Sequence, residues 1–295
     1  MDAHARLVVG LDDRCCSVPT TVLGEAPLLM RVTGTGCRGV TVHLVGGAAG
    51  PLGGDRLVTD VAVGEDAQLN VRSVAASLAQ PGRNPGACST ASINVAIAAG
   101  ATLDWRTEPL ISVVGSDHTQ RNTVALADES ARLLWVDEVV LGRHREAAGR
   151  LTMHQRITVA GTPVVHHTVV FDLGGGDGGE GGDGGNRTIG RHGGHRVAIT
   201  AVLIGVERSE SEATRVLRRP SVIIDTTCRT ARLDIGGSRT MWIALADDLE
   251  CARSGLAELG FDVATFQLTN LKQARDNWLV EPNGPVAERG EGIDG

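Results

Sequence analysis

Three stretches decide how this chain folds: VAVGEDAQLNV over Val61–Val71, VAIAAGATLDW over Val95–Trp105, and VALADESARLLW over Val124–Trp135. Laid over one another, each gives an alternating apolar run, a tight turn, and an Ala-x-Leu step that opens a second run. The anchoring alanines are Ala67, Ala101 and Ala131, spaced 34 and 30 residues apart, and Trp105 and Trp135 each fall four residues after their anchor. Such a unit cannot bury its apolar face alone, so neighbours must stack to make a continuous core. The repeat predicts a mainly β chain with a β-helix-like or layered architecture of stacked strand-turn-strand units.

Outward from the repeat, Leu57–Val63, Ile93–Ile97 and Leu151–Val159 alternate apolar and polar residues as half-buried strands do. Pro163–Phe171 continues the pattern, with Val165, His167 and Val169 on one face and His166 on the other. Val197–Val206 and Ser221–Ile224 read as further strands. Helical spacing comes late, in Leu245, Leu249, Ala252, Leu256 and Leu259, closed by Gly260, with a second helix expected around Leu268–Leu279. The reading is one β domain over 1–282 with one or two C-terminal helices and a disordered tail over 283–295. Its one interruption is the glycine-dominated tract 174–194, expected to be a mobile surface loop because it has almost no side chains to pack.

The 295 residues are 42 % hydrophobic and 21 % charged, the balance of a chain that folds. There is no tyrosine, and aromatics are limited to three phenylalanines and four tryptophans, so the core must be aliphatic. A net charge of −7 gives no electrostatic footprint for nucleic acid, and no basic–aromatic interleaving offers a stacking platform for bases. MDAHARLVVG has no basic segment leading into a long apolar core, and Val197–Val206 is roughly half a membrane span. A cytoplasmic protein without membrane partners is expected. Six cysteines without a C-x-x-C spacing are expected to be reduced, scattered thiols.

Several motifs invite a cofactor reading and fail on context. Gly34-Thr35-Gly36-Cys37-Arg38-Gly39 matches the dinucleotide fingerprint, but VTVHLV follows where the pyrophosphate site needs a helix N-terminus. Gly50-Pro51-Leu52-Gly53-Gly54-Asp55 lacks the Lys-Ser/Thr ending of a phosphate loop. The tract GGGDGGEGGDGG resembles calcium-binding β-roll repeats without their large apolar residue. His192 and His195 read as two exposed loop histidines. No G-x-S-x-G or H-E-x-x-H is present, and the chain reads as a non-enzyme with no tightly bound cofactor.

GPLGGDRL around Asp55, GEDAQL, LDWRTEPLI over Leu103–Ile111 and LLWVDEVVLGR over Leu133–Arg143 occur in that order. Together they resemble the urease accessory protein UreD (UreH) family, whose motif positions here are Gly53, Gly54, Asp55, Trp105, Glu108, Pro109, Asp137, Gly142 and Arg143. The residues also make physical sense by themselves. Gly53 and Gly54 allow backbone angles that hold Asp55 at a tight strand start, where its carboxylate can accept backbone N–H bonds. Asp137, Glu138 and Arg143 could form a fixed ion pair. Glu108 before Pro109 projects from an extended chain. The chain departs from the family's pattern at Arg72–Leu78 and at Glu146-Ala147-Ala148.

The resemblance implies a nickel-insertion scaffold that contacts apo-urease on one side and UreF on the other, with the GTPase UreG docked through UreF. Nickel would be in transit through an internal tunnel toward the urease active site. A conduit needs weak, successive donors, since a dense ligand cluster would trap the ion. Asp55, Glu108, Asp137 and His144 are the transit candidates. The alternative reading is a metal- or calcium-binding β-solenoid module unrelated to urease.

Overall fold

The computed structural model describes residues 1–36, 39–172, 194–205 and 222–266. Its chain shuttles between two sheets. The first sheet holds β1 (Asp2–Leu11), β2 (Ser17–Gly24), β5 (Arg56–Val63), β8 (Ser89–Ile97), β11 (Asp117–Leu126), β13 (Arg150–Val159) and β14 (Thr162–Phe171), in the order β14-β13-β11-β8-β5-β1-β2. The second begins with β3 (Leu28–Gly34), β4 (Val40–Gly46), β6 (Gln68–Ser73), β9 (Thr102–Arg106) and β12 (Arg132–Leu141). It continues through β15 (Val197–Ile204), β18 (Arg239–Ala246), β17 (Cys228–Asp234) and β16 (Val222–Ile224). Two short strands, β7 (Ser77–Ala79) and β10 (Leu110–Ser112), pair beside the far end of β12.

The stacking is β-solenoid-like. Arg56 lies beside Thr90 and Ser89 beside His118, so successive coils pair in parallel across the first sheet. In the second sheet Leu69, Leu103 and Leu133 fall in one row, and Ala67, Ala101 and Ala131 at the preceding turns are fully buried. The register is the one the repeat predicted. Alternation in β5 and β13 sends Val61, Val63, Ile157 and Val159 inward, where they meet Val42, Leu69, Leu103 and Leu133 in the main core between the sheets.

β15 and β12 read as nearly continuous apolar runs because the second sheet is covered on both faces. Its outer face packs Leu134, Val136, Ile199 and Trp242 against Leu256, Leu259 and Phe261. These follow from helix α1 (Leu249–Glu258), capped by the Asp248 carboxylate accepting from Cys251 N at 2.8 Å. The helix ends in a Schellman turn, in which Gly260 N bonds Ala257 O and Phe261 N bonds Leu256 O around Gly260 at φ +91°.

Four expectations need correction. Leu245 belongs to β18 and not to the helix, since the cap at Asp248 starts the helix one turn later. Cys16 is disulfide-bonded, while Cys15, Cys88, Cys228 and Cys251 are free. The bridge between Ser17 and Gly36 brings a second chain segment alongside Cys16, which spacing along the sequence does not show. His195 is buried, not exposed, with Nδ1 2.7 Å from Asp247 Oδ1, because it sits at the start of β15 beside the end of β18. Gly53 is required for space, not angle: a Cβ there would lie 2.5 Å from Ala87 O. Gly54, at φ +95°, does need the left-handed conformation. Most of the glycine tract, the helix expected near Leu268–Leu279 and the tail lie outside the described residues. Among the described residues, no helix is long and apolar enough to cross a membrane.

Candidate functional site

The two sheets separate enough at one end of the core to leave a cavity of about 480 Å³, walled by Thr59, Ile93, Trp105, His118, Gln120 and Asp137 among others. Its polar side comes from β11. The sequence DHTQRNTVAL places His118, Gln120 and Asn122 on the same face as Val124 and Leu126, so three of the five residues on that face are polar. That arrangement is costly in a core unless the groups are satisfied or used.

Asp137 is the centre of the polar strip. It rises from β12, and its carboxylate accepts Trp135 Nε1 at 2.8 Å and Asn122 Nδ2 at 3.1 and 3.2 Å, with Gln155 Nε2 at 3.4 Å. Asn122 and Gln155 stand side by side on the opposite sheet, so Asp137 ties the two sheets together. Burial pushes this carboxyl up to about 6, against the hydrogen bonds from Trp135 and Asn122 that favour the anion. Asp137 is one of the residues that line the cavity.

His118 is fully buried, with Nδ1 2.9 Å from Ser89 Oγ. Burial lowers it to about 4, so it is neutral at physiological pH. The Gln120 side chain lies within reach of the ring, though Nε2 makes no hydrogen bond of good geometry, and neither does Oε1 of the buried Gln155. Of His118 and Gln155 only His118 lines the cavity, where an unsatisfied buried nitrogen is an exception that a ligand would explain. Among the described residues, however, no three His, Cys, Asp or Glu side chains converge to hold a metal ion. The cavity offers isolated donors and no chelate.

The sequence-derived candidates separate into groups. Asp137, Glu108 and Trp105 line the cavity. Pro109 is buried and its carbonyl accepts Ser77 N at 3.0 Å, while Glu108 N bonds Ser73 Oγ at 2.8 Å; together they shape the rim. Asp55 is architectural: one oxygen accepts Leu52 N at 2.8 Å and the other the amino group of Met1 at 2.9 Å, closing the GPLGGD turn. Gly142, Arg143 and His144 lie in the loop beyond β12, away from the cavity wall.

The ion pair expected between Arg143 and Asp137 or Glu138 does not form. Gly142, at φ +77°, turns the chain off the strand, and Arg143 instead grips Glu146 through two contacts of 2.8 Å. That pair holds the Glu146 carboxyl down at about 2, chiefly through the hydrogen bond from Arg143. Glu138 pairs with Arg253 of α1, Nε to Oε1 at 2.9 Å and Nη2 to Oε2 at 2.6 Å. Sequence reasoning missed His118, Asn122, Gln155 and Arg253. The first two were visible as polar residues at inward positions of an alternating strand.

Fold and cavity together define a β-solenoid-like protein with a largely apolar cleft that carries single, dispersed polar donors. The model of the family "UreD urease accessory protein" matches residues 1–261, and the chain belongs to that family. It is similar to the urease accessory protein UreD of Streptomyces avermitilis, 33 % identical over 256 residues, covering 87 % of this chain and 95 % of that protein. UreD of a Parafrankia species is 40 % identical over 161 residues, covering 55 % of this chain and 54 % of the relative. UreD of Frankia alni is 40 % identical over 177 residues, covering 54 % and 59 %. In the latter two comparisons the chain spans little more than half the relatives' length.

Proposed function

We propose that this protein is a cytoplasmic, non-enzymatic scaffold for GTP-dependent insertion of nickel into apo-urease, bridging urease and UreF, with UreG reached through UreF. Nickel is cargo on this reading and not a resident cofactor. Membership of a urease accessory family supports the role. The observation that carries the transit part is Asp137, a carboxylate set inside a cavity and held by neutral donors alone. With its pKa raised only to about 6, it is largely ionised at neutral pH and attracts a cation. Without two further ligands beside it, it cannot hold the ion tightly. His118 offers a neutral ring on the facing wall of the same cavity.

The test is joint expression of the chain with apo-urease, UreF and UreG, followed by recovery of the complex and a nickel count per urease active site. A complex that forms and supports GTP-dependent loading is expected. Absence of any complex with urease or UreF would overturn the scaffold reading, and loading that proceeds equally without the chain would overturn the insertion role.

A further inference from the structure

Cys228 opens β17 directly opposite Ala246, the last residue of β18. The chain then turns through Asp247 and Asp248, and α1 folds back over the same end of the sheet with Cys251 in its first turn. Two thiols 23 residues apart meet where the helix lies on the strand. Cys228 Sγ donates to Cys251 O at 3.5 Å, and Cys251 Sγ lies 3.6 Å from Thr227 Oγ1. The approach is close because α1 carries a glycine at the contact: a Cβ on Gly255 would lie 3.0 Å from Cys228 Sγ and 2.7 Å from Thr230 Cγ2. Glycine is unfavourable inside a helix, and here it lets the helix sit down on the cysteine.

The two sulfurs differ in their surroundings. Cys228 is 6 % exposed, and burial, together with the charge of Cys251 and a hydrogen bond to it, pushes its thiol up to about 11. Cys251 is half-buried and reachable from solvent. Both are free thiols, and neither lines the cavity. Cys88, also free and exposed, makes a useful contrast, because its sulfur contacts Ser89 O and Thr119 Oγ1 and no second thiol.

We propose that Cys228 and Cys251 are a redox-reactive dithiol that a peroxide closes into a disulfide, fastening α1 to the second sheet. The Cys251 thiolate attacks one oxygen of hydrogen peroxide: an S–O bond forms, the O–O bond breaks, hydroxide leaves, and Cys251 becomes a sulfenic acid. The Cys228 sulfur then attacks the Cys251 sulfur. An S–S bond forms, the S–O bond breaks, and the Cys228 proton leaves with the hydroxyl as water. The thiol pair loses two electrons and the peroxide gains them. The new bond holds down the cover of the sheet's outer face, since α1 packs Leu256 in one cluster with Trp242 and pairs Arg253 with Glu138.

The experiment exposes the full chain to hydrogen peroxide, alkylates the remaining thiols in denaturant and weighs tryptic peptides, for Arg229 and Arg253 place a cut just past each cysteine. The two peptides should become joined at least about tenfold faster than Cys88 is oxidised, because the resolving thiol is already in place. The joined chain should melt higher than the reduced one, since the bond closes a loop in the unfolded state. Cys251→Ser should lose both the joined peptide and the rise in melting temperature. Cys228→Ser should leave Cys251 as a sulfenic acid that dimedone traps; if this buried change prevents folding, Cys251→Ser carries the comparison. Joined peptides that form no faster than Cys88 reacts, or the same rise in melting temperature in Cys251→Ser, overturn the proposal. A joined chain that melts no higher than the reduced one overturns the fastening of α1.

Discussion

Trp105 and Trp135 stack face to face in the core, ring centroids 4.8 Å apart and planes 7° from parallel, on directly paired positions of β9 and β12. The repeat thus brings two residues thirty apart in sequence into one contact, and Trp135 passes its indole N–H to Asp137 at 2.8 Å. Core packing and cavity chemistry meet at this pair.

Replacing either indole by alanine should cost about 3–5 kcal/mol, since both rings are fully buried and the aliphatic surroundings cannot fill the space. Trp135→Phe keeps most of the ring and removes the donor, so it should cost less, about 1–3 kcal/mol. Urea denaturation of the three variants checks the order, and a parental midpoint for both alanine variants would contradict the stacked register.

Asp137 and His118 should give opposite pH dependences in the same window. The Asp137 pKa is raised from its ordinary value to about 6, so ionisation destabilises the fold as pH rises from about 4 to 6. The His118 pKa is lowered to about 4, so its neutral form stabilises the fold above pH 6.5 and that contribution is lost as pH falls toward 4. Each contribution is at most about 3 kcal/mol and the two largely offset. Asp137→Asn should therefore steepen the gain in stability between pH 4 and 6.5 relative to the parent, and His118→Gln should flatten or reverse it. Melting profiles across that range decide; parallel profiles for all three proteins would place both groups in water.

The sequence displayed the solenoid because its evidence is periodic: Ala67, Ala101 and Ala131 repeat at nearly fixed spacing, and alternation within each strand states which face is inward. It named Asp55, Glu108, Asp137 and His144 together, and of these only Glu108 and Asp137 line the cavity. What it withheld is pairing between distant segments. Arg253 lies 115 residues from Glu138, and nothing local to either residue links them. Arg143 was misassigned for the complementary reason: the carboxylates nearest along β12 were assumed to be its partners, whereas the turn at Gly142 redirects it to Glu146. His118 and Asn122 stand at inward positions of an alternating strand, but the sequence does not say which residues of the opposite sheet close over them.

Arg253 and Glu138 should respond unequally to truncation. Arg253→Ala leaves a buried carboxylate without its cation and should cost about 3–5 kcal/mol. Glu138→Ala leaves a guanidinium that can turn to water, and the loss should be clearly smaller. Denaturant midpoints of the two variants test this, and equal or reversed losses would mean that Glu138 is hydrated in solution.

Asp55 and Asp137 were equal candidates for nickel transit in the sequence, and the structure sets them apart in a way that an isosteric change can read. Asp55, which does not itself line the cavity, holds Leu52 N and the Met1 amino group, so Asp55→Asn should weaken the fold, and any fall in nickel loading should follow a matching fall in recovered complex. Asp137 stands inside the cavity and joins the sheets through neutral donors. Asp137→Asn retains its shape and removes both the charge and the desolvation strain that raises its pKa, so stability should hold or improve at neutral pH. Complex recovery with urease and UreF should then match the parent while nickel per urease active site falls, because a neutral amide offers a divalent ion far less than a carboxylate does. Measuring melting temperature, complex recovery and nickel content for both variants separates the roles. If Asp137→Asn loads nickel like the parent, the carboxylate serves only to tie the sheets; if it loses complex and nickel together, its charge is structural and transit must follow another route.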